Sequence, residues 1–237
     1  MKVVITGASR GMGKAAVILF LKNGHNVFGI DVNESPFKDN SELELECGEN
    51  HGKYTHFIAD ISKKETLPQI EEVEILINNA GVQTPIVNAE DSLRDINTNL
   101  VGTIYVTQKY AFQPKIKSVL FNASVSGITG NEFPVYAASK AGVIGYMKNT
   151  AIRLANDFKA TCNALCFGGV ETELNKSVME DKALWQKIMD VTPLKKWLKP
   201  QEAAQWIYFL TVTNTFCTGQ AIDVSGGERN CADLFVW

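Results

Sequence analysis

The chain has 237 residues, 45% of them hydrophobic and 21% charged, with 18 Gly and 7 Pro. That is room for one sizeable α/β domain, and the composition excludes disordered, collagen-like and coiled-coil chains. Twenty-three Lys and Arg against 26 Asp and Glu leave a net charge of −3; with so little electrostatic pull toward phosphate backbones or anionic lipid, neither nucleic acid nor a membrane is expected as a partner.

The first apolar run, Lys2–Thr6, reads as a strand. It passes through Gly7-Ala8-Ser9-Arg10-Gly11-Met12-Gly13 into a helix expected over Gly11–Asn23, where Met12, Ala15, Ala16, Leu19 and Phe20 recur at helical spacing. Gly7 permits a tight strand exit, Gly11 lets backbone N–H groups approach a pyrophosphate at the helix N-terminus, and Gly13 allows the helix to pack closely on the sheet. The G-x3-G-x-G spacing departs from the commonest dinucleotide fingerprint. The glycines gain weight from the strand before them, the helix after them and an acid closing the next strand. That acid is Asp31, at the end of Asn26–Asp31. A carboxylate there can accept the adenosine ribose hydroxyls and repels a 2′-phosphate, whereas Arg10 in the turn could neutralise one. The carboxylate is weighed more heavily, so NAD(H) is the expected cofactor and NADP(H) the open alternative.

Residues Asn33–Lys53 are polar and acidic and read as a loop with at most a short helix. A strand (Tyr54–Ala59), a helix (Lys63–Glu72), a strand (Val73–Asn78), a helix (Ala89–Phe112) and a strand (Ser118–Ala123) follow; then come a helix (Tyr136–Asp157) and a strand (Thr161–Cys166). The stretch Glu173–Lys199, rich in Lys, Trp and Met, is either a surface excursion or a flap over a site, because ligands are commonly covered by insertions after a strand's C-terminal end. Ala203–Ile222 is free of charge and long enough to span a bilayer, yet it contains Gln205, Asn214, Gln220, Gly219 and four threonines, which a spanning helix would bury unpaired. It divides better into a helix (Gln201–Thr213), a polar turn and a strand (Ala221–Val224). Near-continuous apolar strands alternating with helices imply one doubly wound α/β sheet, residues 1–237 forming a single domain without linker or repeat, with 173–199 as the candidate flap.

The apolar run after Met1-Lys2 is too short for a signal peptide. Five cysteines (Cys47, Cys162, Cys166, Cys217, Cys231) are read as reduced thiols of a cytoplasmic protein. Cys162 and Cys166 share a strand face, but no second Cys pair or His stands beside them. His25, His51 and His56 are scattered, so no metal site is expected.

In the chain's middle, Tyr136-x3-Lys140 places a phenol and an ammonium on one helical face, where the cation favours phenolate. A surface pair is the ordinary meaning of that spacing. Here Ser124 lies twelve residues upstream at a strand end, Asn78-Asn79-Ala80-Gly81 closes another strand, and Asn99 stands within Asn97-Thr98-Asn99-Leu100. In order along the chain, Thr6-Gly7-x3-Gly11-x-Gly13, Asp60-Ile61, Asn78–Gly81, Asn99, Ser124, Tyr136-x3-Lys140, Gly168-x3-Thr172 and Ser225-Gly226-Gly227 resemble the short-chain dehydrogenase/reductase family over nearly the whole chain.

The resemblance implies a Rossmann-like sheet of seven mostly parallel strands flanked by helices, and hydride exchange between nicotinamide and a carbonyl or secondary-alcohol carbon. It implies Tyr136 as general acid or base, Ser124 as the hydrogen-bond partner of the substrate oxygen, and Lys140 as holder of the nicotinamide ribose and modulator of Tyr136. Asn99 would kink its helix and hold a water connecting Lys140 to solvent. Around the cofactor it places Gly7, Ser9, Arg10, Gly11, Met12 and Gly13; Asp31; Asp60 and Ile61 by adenine; Asn79, Ala80 and Gly81 by the ribose; and Val170 and Thr172 by the carboxamide. Phe167 stands where the family usually has Pro, and Lys196 where Arg is more usual. A homodimer or homotetramer follows by the same resemblance. The alternatives are an NADPH-dependent 3-oxoacyl-thioester reductase and a non-enzymatic dinucleotide sensor on the same fold. A small-molecule substrate would meet Val125, Ser126, the Gly130–Val135 approach and the flap. There Phe133, Leu174, Met179, Trp185 and Met189 read either as an apolar lining or as packing for the flap itself.

Overall fold

The computed structural model of the protein describes residues 1–84, 93–131 and 133–228. Residues 89–92 of the expected helix, position 132 in the approach to Tyr136, and Cys231 lie outside the described residues. The strands are β1 (Lys2–Thr6), β2 (Asn26–Asp31), β3 (Tyr54–Ile58), β4 (Ile75–Asn78), β5 (Ser118–Ser124), β6 (Thr161–Phe167) and β7 (Ala221–Val224). The helices are α1 (Gly11–Lys22), α2 (Asn40–Cys47), α3 (Thr103–Tyr110), α4 (Ser126–Thr129), α5 (Pro134–Arg153), α6 (Lys176–Glu180), α7 (Lys182–Val191) and α8 (Pro200–Tyr208). All seven strands pair in parallel in the order β3-β2-β1-β4-β5-β6-β7. β1 therefore sits between β2 and β4, where the winding reverses, and a crevice opens at the strands' C-terminal ends.

Why the strands read as continuous apolar runs is visible in β1. Val3 and Ile5 enter the core beneath α1 and α8, with Val17, Phe20, Leu21 and Ile207. Val4 points to the opposite core, with Val106 and Tyr110 of α3 and Val143 and Met147 of α5. Both faces are covered, so alternation of side chains carries no alternation of polarity. Cys162 and Cys166 fall together in the α5 core, as their parity requires, and neither forms a disulfide among the described residues.

Several element expectations need correction. Lys63–Glu72 is not a helix: only the turn Lys64–Thr66 winds, as a 3₁₀ helix, before the chain extends toward Pro68. A proline restricts the residue before it to extended backbone and cannot serve a helix interior. The Glu173–Lys199 stretch is more regular than expected, with α6 and α7 inside it. Asp181 starts α7 by accepting the N–H groups of Ala183 and Leu184 at 3.0 Å each. α2 is the short helix allowed within the acidic loop, capped by Asp39, which accepts Glu42 N–H at 3.0 Å. The segments Ile96–Gly102, Leu154–Phe158 and Phe209–Thr213 wind in the wider π manner. No helix among the described residues is long and apolar enough to cross a membrane.

Candidate active site

The turn after β1 is shaped by glycine backbone and tied to its neighbour by two side chains. Gly7 (φ 66°) and Gly11 (φ 54°) occupy the left-handed region. A Cβ on Gly7 would lie 2.8 Å from the Ala80 Cα, and one on Gly13 would lie 1.8 Å from the Gly7 carbonyl oxygen. The N-terminus of α1 thus presses directly on the turn. Its first turn contains no acidic residue, so its exposed N–H groups and dipole are available to an anion. Thr6 ties in the neighbouring strand: its Oγ1 accepts the N–H groups of Asn79 and Ala80 at 3.0 and 3.1 Å. Asn79 Nδ2 donates to the carbonyls of Thr6 and Gly7 at 2.8 and 3.0 Å.

A cleft of about 440 Å³ opens above this turn. It brings together most of the expected cofactor residues: Gly7, Arg10, Gly11, Met12 and Gly13 from the turn, Asp31 from β2, Asp60 and Ile61 after β3, Asn79, Ala80 and Gly81 after β4, and Thr172 after β6. Ser9 and Val170 do not line it. Ser9 works from behind, donating its N–H to Asp31 Oδ2 at 3.0 Å and its hydroxyl to the Glu34 carbonyl at 2.7 Å. Val170 is buried and bridges to Leu198. Asn97 and Thr98 of the Asn99 motif and Glu173 and Leu174 of the candidate flap also border the cleft, as do Val82 and Arg94, which the sequence reading missed because no motif marks them and their path depends on the whole fold.

The Asp31 carboxylate is 8% exposed. Oδ1 accepts both the N–H and Nδ2 of Asn33 at 2.9 Å, opposite the Ser9 bond on Oδ2. Donors on both oxygens fix the group, and a carboxylate's roughly four lone-pair sites leave capacity for hydroxyl donors from a ligand. Asp60 is fixed likewise: Oδ1 accepts Ser62 N–H at 3.0 Å and Ser62 Oγ at 2.7 Å. Burial pushes its carboxyl up, but the Ser62 bonds and Lys63 outweigh that and hold it below its ordinary value. Arg10 is exposed at the cleft and makes no ion pair among the described residues.

Beyond the cleft lie the other expected groups. Lys140 is 5% exposed, and its Nζ donates to the Asn122 carbonyl at 2.9 Å. Burial pulls its proton affinity down to about 8, against smaller opposing effects of Cys166 and Asp95. The ammonium stands 5.7 Å from the centre of the Tyr136 ring, on the same face of α5. Ser124 ends β5; its Oγ accepts Ser126 N–H and lies 3.1 Å from Ser126 Oγ. Asn99 sits where the helix widens, but its side chain is spent on protein. Oδ1 accepts Val82 N–H, and Nδ2 donates to the Val82 carbonyl and to Ser139 Oγ, at 2.8, 2.8 and 3.0 Å. Asn122, absent from the expected set, links the halves: its carbonyl holds Lys140 while its Nδ2 donates to Asn79 Oδ1 at 2.7 Å. No motif marks it, since β5 also carries Ser118 and Ser124 and the role of the asparagine shows only in the contacts it makes.

No proline precedes Gly168, and Phe167 is buried in the core instead. The loop after it is held by backbone pairing: Leu198 N–H donates to Gly169 O at 3.0 Å, and Glu171 N–H to Leu198 O at 2.9 Å. Trp197 packs against Gly169 too closely to admit a Cβ there.

The family model for short chain dehydrogenases matches residues 1–183. A 3-oxoacyl-acyl-carrier-protein reductase from Thermotoga maritima is 32% identical over 242 aligned positions, covering 94% of this chain and 96% of that one. Among solved structures, a putative 2-deoxy-D-gluconate 3-dehydrogenase from Agrobacterium tumefaciens with bound NADP superposes with a TM-score of 0.85, at 23% identity, over 96% of this chain and 95% of the other. A 4-hydroxyisoleucine dehydrogenase complexed with NADH gives a TM-score of 0.81, at 26% identity, over 98% of this chain and 99% of the other.

Proposed function

The chain belongs to the short-chain dehydrogenase family and is an oxidoreductase acting on CH–OH or carbonyl groups with a nicotinamide dinucleotide; from that premise we propose that it prefers NAD(H), with Tyr136 as its proton-transfer group. The observation that carries the cofactor choice is Asp31, a fixed carboxylate on the wall of the cleft. A 2′-phosphate there would meet a like charge at close range, and a 2′-hydroxyl would meet an acceptor. The turn fits the rest of the cofactor: two left-handed glycines and a helix N-terminus without acid offer N–H groups to a pyrophosphate. The bound dinucleotide supplies or accepts the hydride.

The chain's own residues manage the proton. Tyr136 gives its phenolic proton to a carbonyl oxygen during reduction and takes it back during oxidation. Ser124, oriented by Ser126, donates a hydrogen bond to the same oxygen as its charge develops. Lys140, anchored on Asn122, holds the cofactor ribose and stabilises the phenolate. Asn99 holds Val82, and with it the Asn79–Gly81 segment at the ribose. The whole of 1–237 acts as one domain, and the stretch 173–199 covers the substrate, a reading supported by Glu173 and Leu174 reaching the cleft wall. The protein works in the cytoplasm as a homodimer or homotetramer on a small-molecule carbonyl or alcohol.

A second reading, an NADPH-dependent 3-oxoacyl-thioester reductase, is favoured by the exposed Arg10 at the cleft and by the Thermotoga maritima relative. Substituting Tyr136→Phe tests the chemistry: turnover falls by about 10²- to 10⁴-fold while NADH binding, followed by nicotinamide fluorescence, is retained. Wild-type turnover in that variant overturns the assignment.

A further inference from the structure

Asp95 is a buried acid that the chemistry above does not use. It is 1% exposed and stands one turn before Asn99. One carboxylate oxygen accepts Thr84 N–H at 3.3 Å; the other, Oδ1, is buried without a hydrogen-bond partner among the described residues. A bare buried carboxylate oxygen is costly, and an aliphatic side chain would fill a core position without that penalty. Such a group calls for a physical reason.

Its surroundings supply one. Asn99 binds Val82 through both backbone groups, and Asp95 binds Thr84 two residues on. Two side chains of one helix therefore take the place of a partner strand for the segment that follows Gly81. Gly81 is also where Asn99 and Lys140 converge: a Cβ there would lie 3.2 Å from Asn99 Oδ1 and 3.4 Å from Lys140 Nζ. Among the described residues, the charged and titratable groups that act on Lys140 are Tyr136 on its own helix, Cys166 from β6 and Asp95 from the opposite helix. The Cys166 and Asp95 effects both favour the ammonium, against the larger cost of burial.

We propose that Asp95 is a positioning residue for the reaction: its buried carboxylate fixes the Val82–Thr84 segment and supplies the counter-charge that keeps Lys140 an ammonium beside the cofactor ribose. The proposal rests on Lys140 holding that ribose, as argued above. Removing the negative charge lowers the proton affinity of Lys140, so the pH at which it loses its proton moves down.

The test is the affinity of the full-length protein for NADH as a function of pH, read by nicotinamide fluorescence with no substrate present. In Asp95→Asn, which keeps an acceptor for Thr84 and loses the charge, the alkaline weakening of NADH binding should begin roughly half a pH unit lower than in wild type. Asp95→Ser, also neutral, should behave alike, and Asp95→Glu should return the profile toward wild type. A clamp without electrostatic influence would weaken binding equally at every pH, and that result, or an unmoved profile, overturns the proposal. Failure of both neutral variants to fold overturns it as well, by assigning Asp95 to the architecture alone. Wild-type turnover in Tyr136→Phe would instead defeat the catalytic reading and leave the NADH profile of the Asp95 variants to be judged by itself.

Discussion

The two ends of the crevice are built on opposite plans. At the β1 exit the surface is backbone: Gly7 and Gly13 leave no room for a side chain, Gly11 takes a left-handed φ, and Thr6, Asn79 and Asn122 knit three strands beneath them. At the far end, past β6, the surface is side chains on short helices. Leu174, Leu184, Val191 and Leu194 are between 41% and 74% exposed, and the stretch is held down chiefly by Met189, Thr192 and Trp197. A site recognised by backbone tolerates almost no replacement. One lined by loosely anchored side chains can be altered position by position, and if 173–199 covers the substrate as proposed, specificity is expected to reside there.

The sharpest way to break this contrast is Gly13→Ala. The added carbon would fall 1.8 Å from the Gly7 carbonyl, with backbone on both sides of the contact. The turn should open, with a stability loss of about 3 kcal/mol or more and NADH binding weakened by roughly 100-fold or more. Calorimetry and fluorescence titration measure both; an unchanged affinity would show the turn to be softer than its packing implies.

Next in size is the pH dependence of Lys140. Its proton affinity falls from 10.5 to about 8 on folding. Between those values the unfolded chain binds more protons than the folded one, so wild-type stability rises with pH relative to Lys140→Met. The gain across the window is on the order of 3 kcal/mol, and denaturant midpoints of both proteins at each end of it provide the check. Asp31→Ser then sharpens the cofactor side: NADPH should gain on NADH by about 10-fold in kcat/KM, with the fold intact. The smallest effect belongs to the flap. Trp185 meets the Trp197 ring edge-on at 4.9 Å, and Trp185→Phe should cost about 1 kcal/mol and change KM for substrate while leaving NADH affinity within about 2-fold.

The same contrast explains what could be read from the chain itself. The cradle was legible because each of its needs forces a residue type: a left-handed turn demands glycine, a ribose wall a carboxylate, a phenol–ammonium pair a spacing of four on α5. The strands and their doubly wound arrangement followed from apolar runs alternating with helices. The helices within the candidate flap were not legible, because α6 and α7 are short and their residues serve solvent and packing at once. Asn122 and Asp95 were hidden for a different reason. Each acts through a contact that exists only after β4, β5 and the Asn99 helix have come together. The helix expected across Pro68 failed on a local rule, since the proline's restriction on its predecessor outweighs the helical pattern around it.

The most direct measurement is kcat/KM for NADH and for NADPH against a panel of ketones, followed by loss of reduced-nicotinamide absorbance. Asp31 and the glycine cradle predict turnover with NADH preferred by about 10-fold or more. A clear preference for NADPH would contradict the cofactor assignment, and consumption of neither by any ketone, alongside tight NADH binding, would contradict the catalytic one.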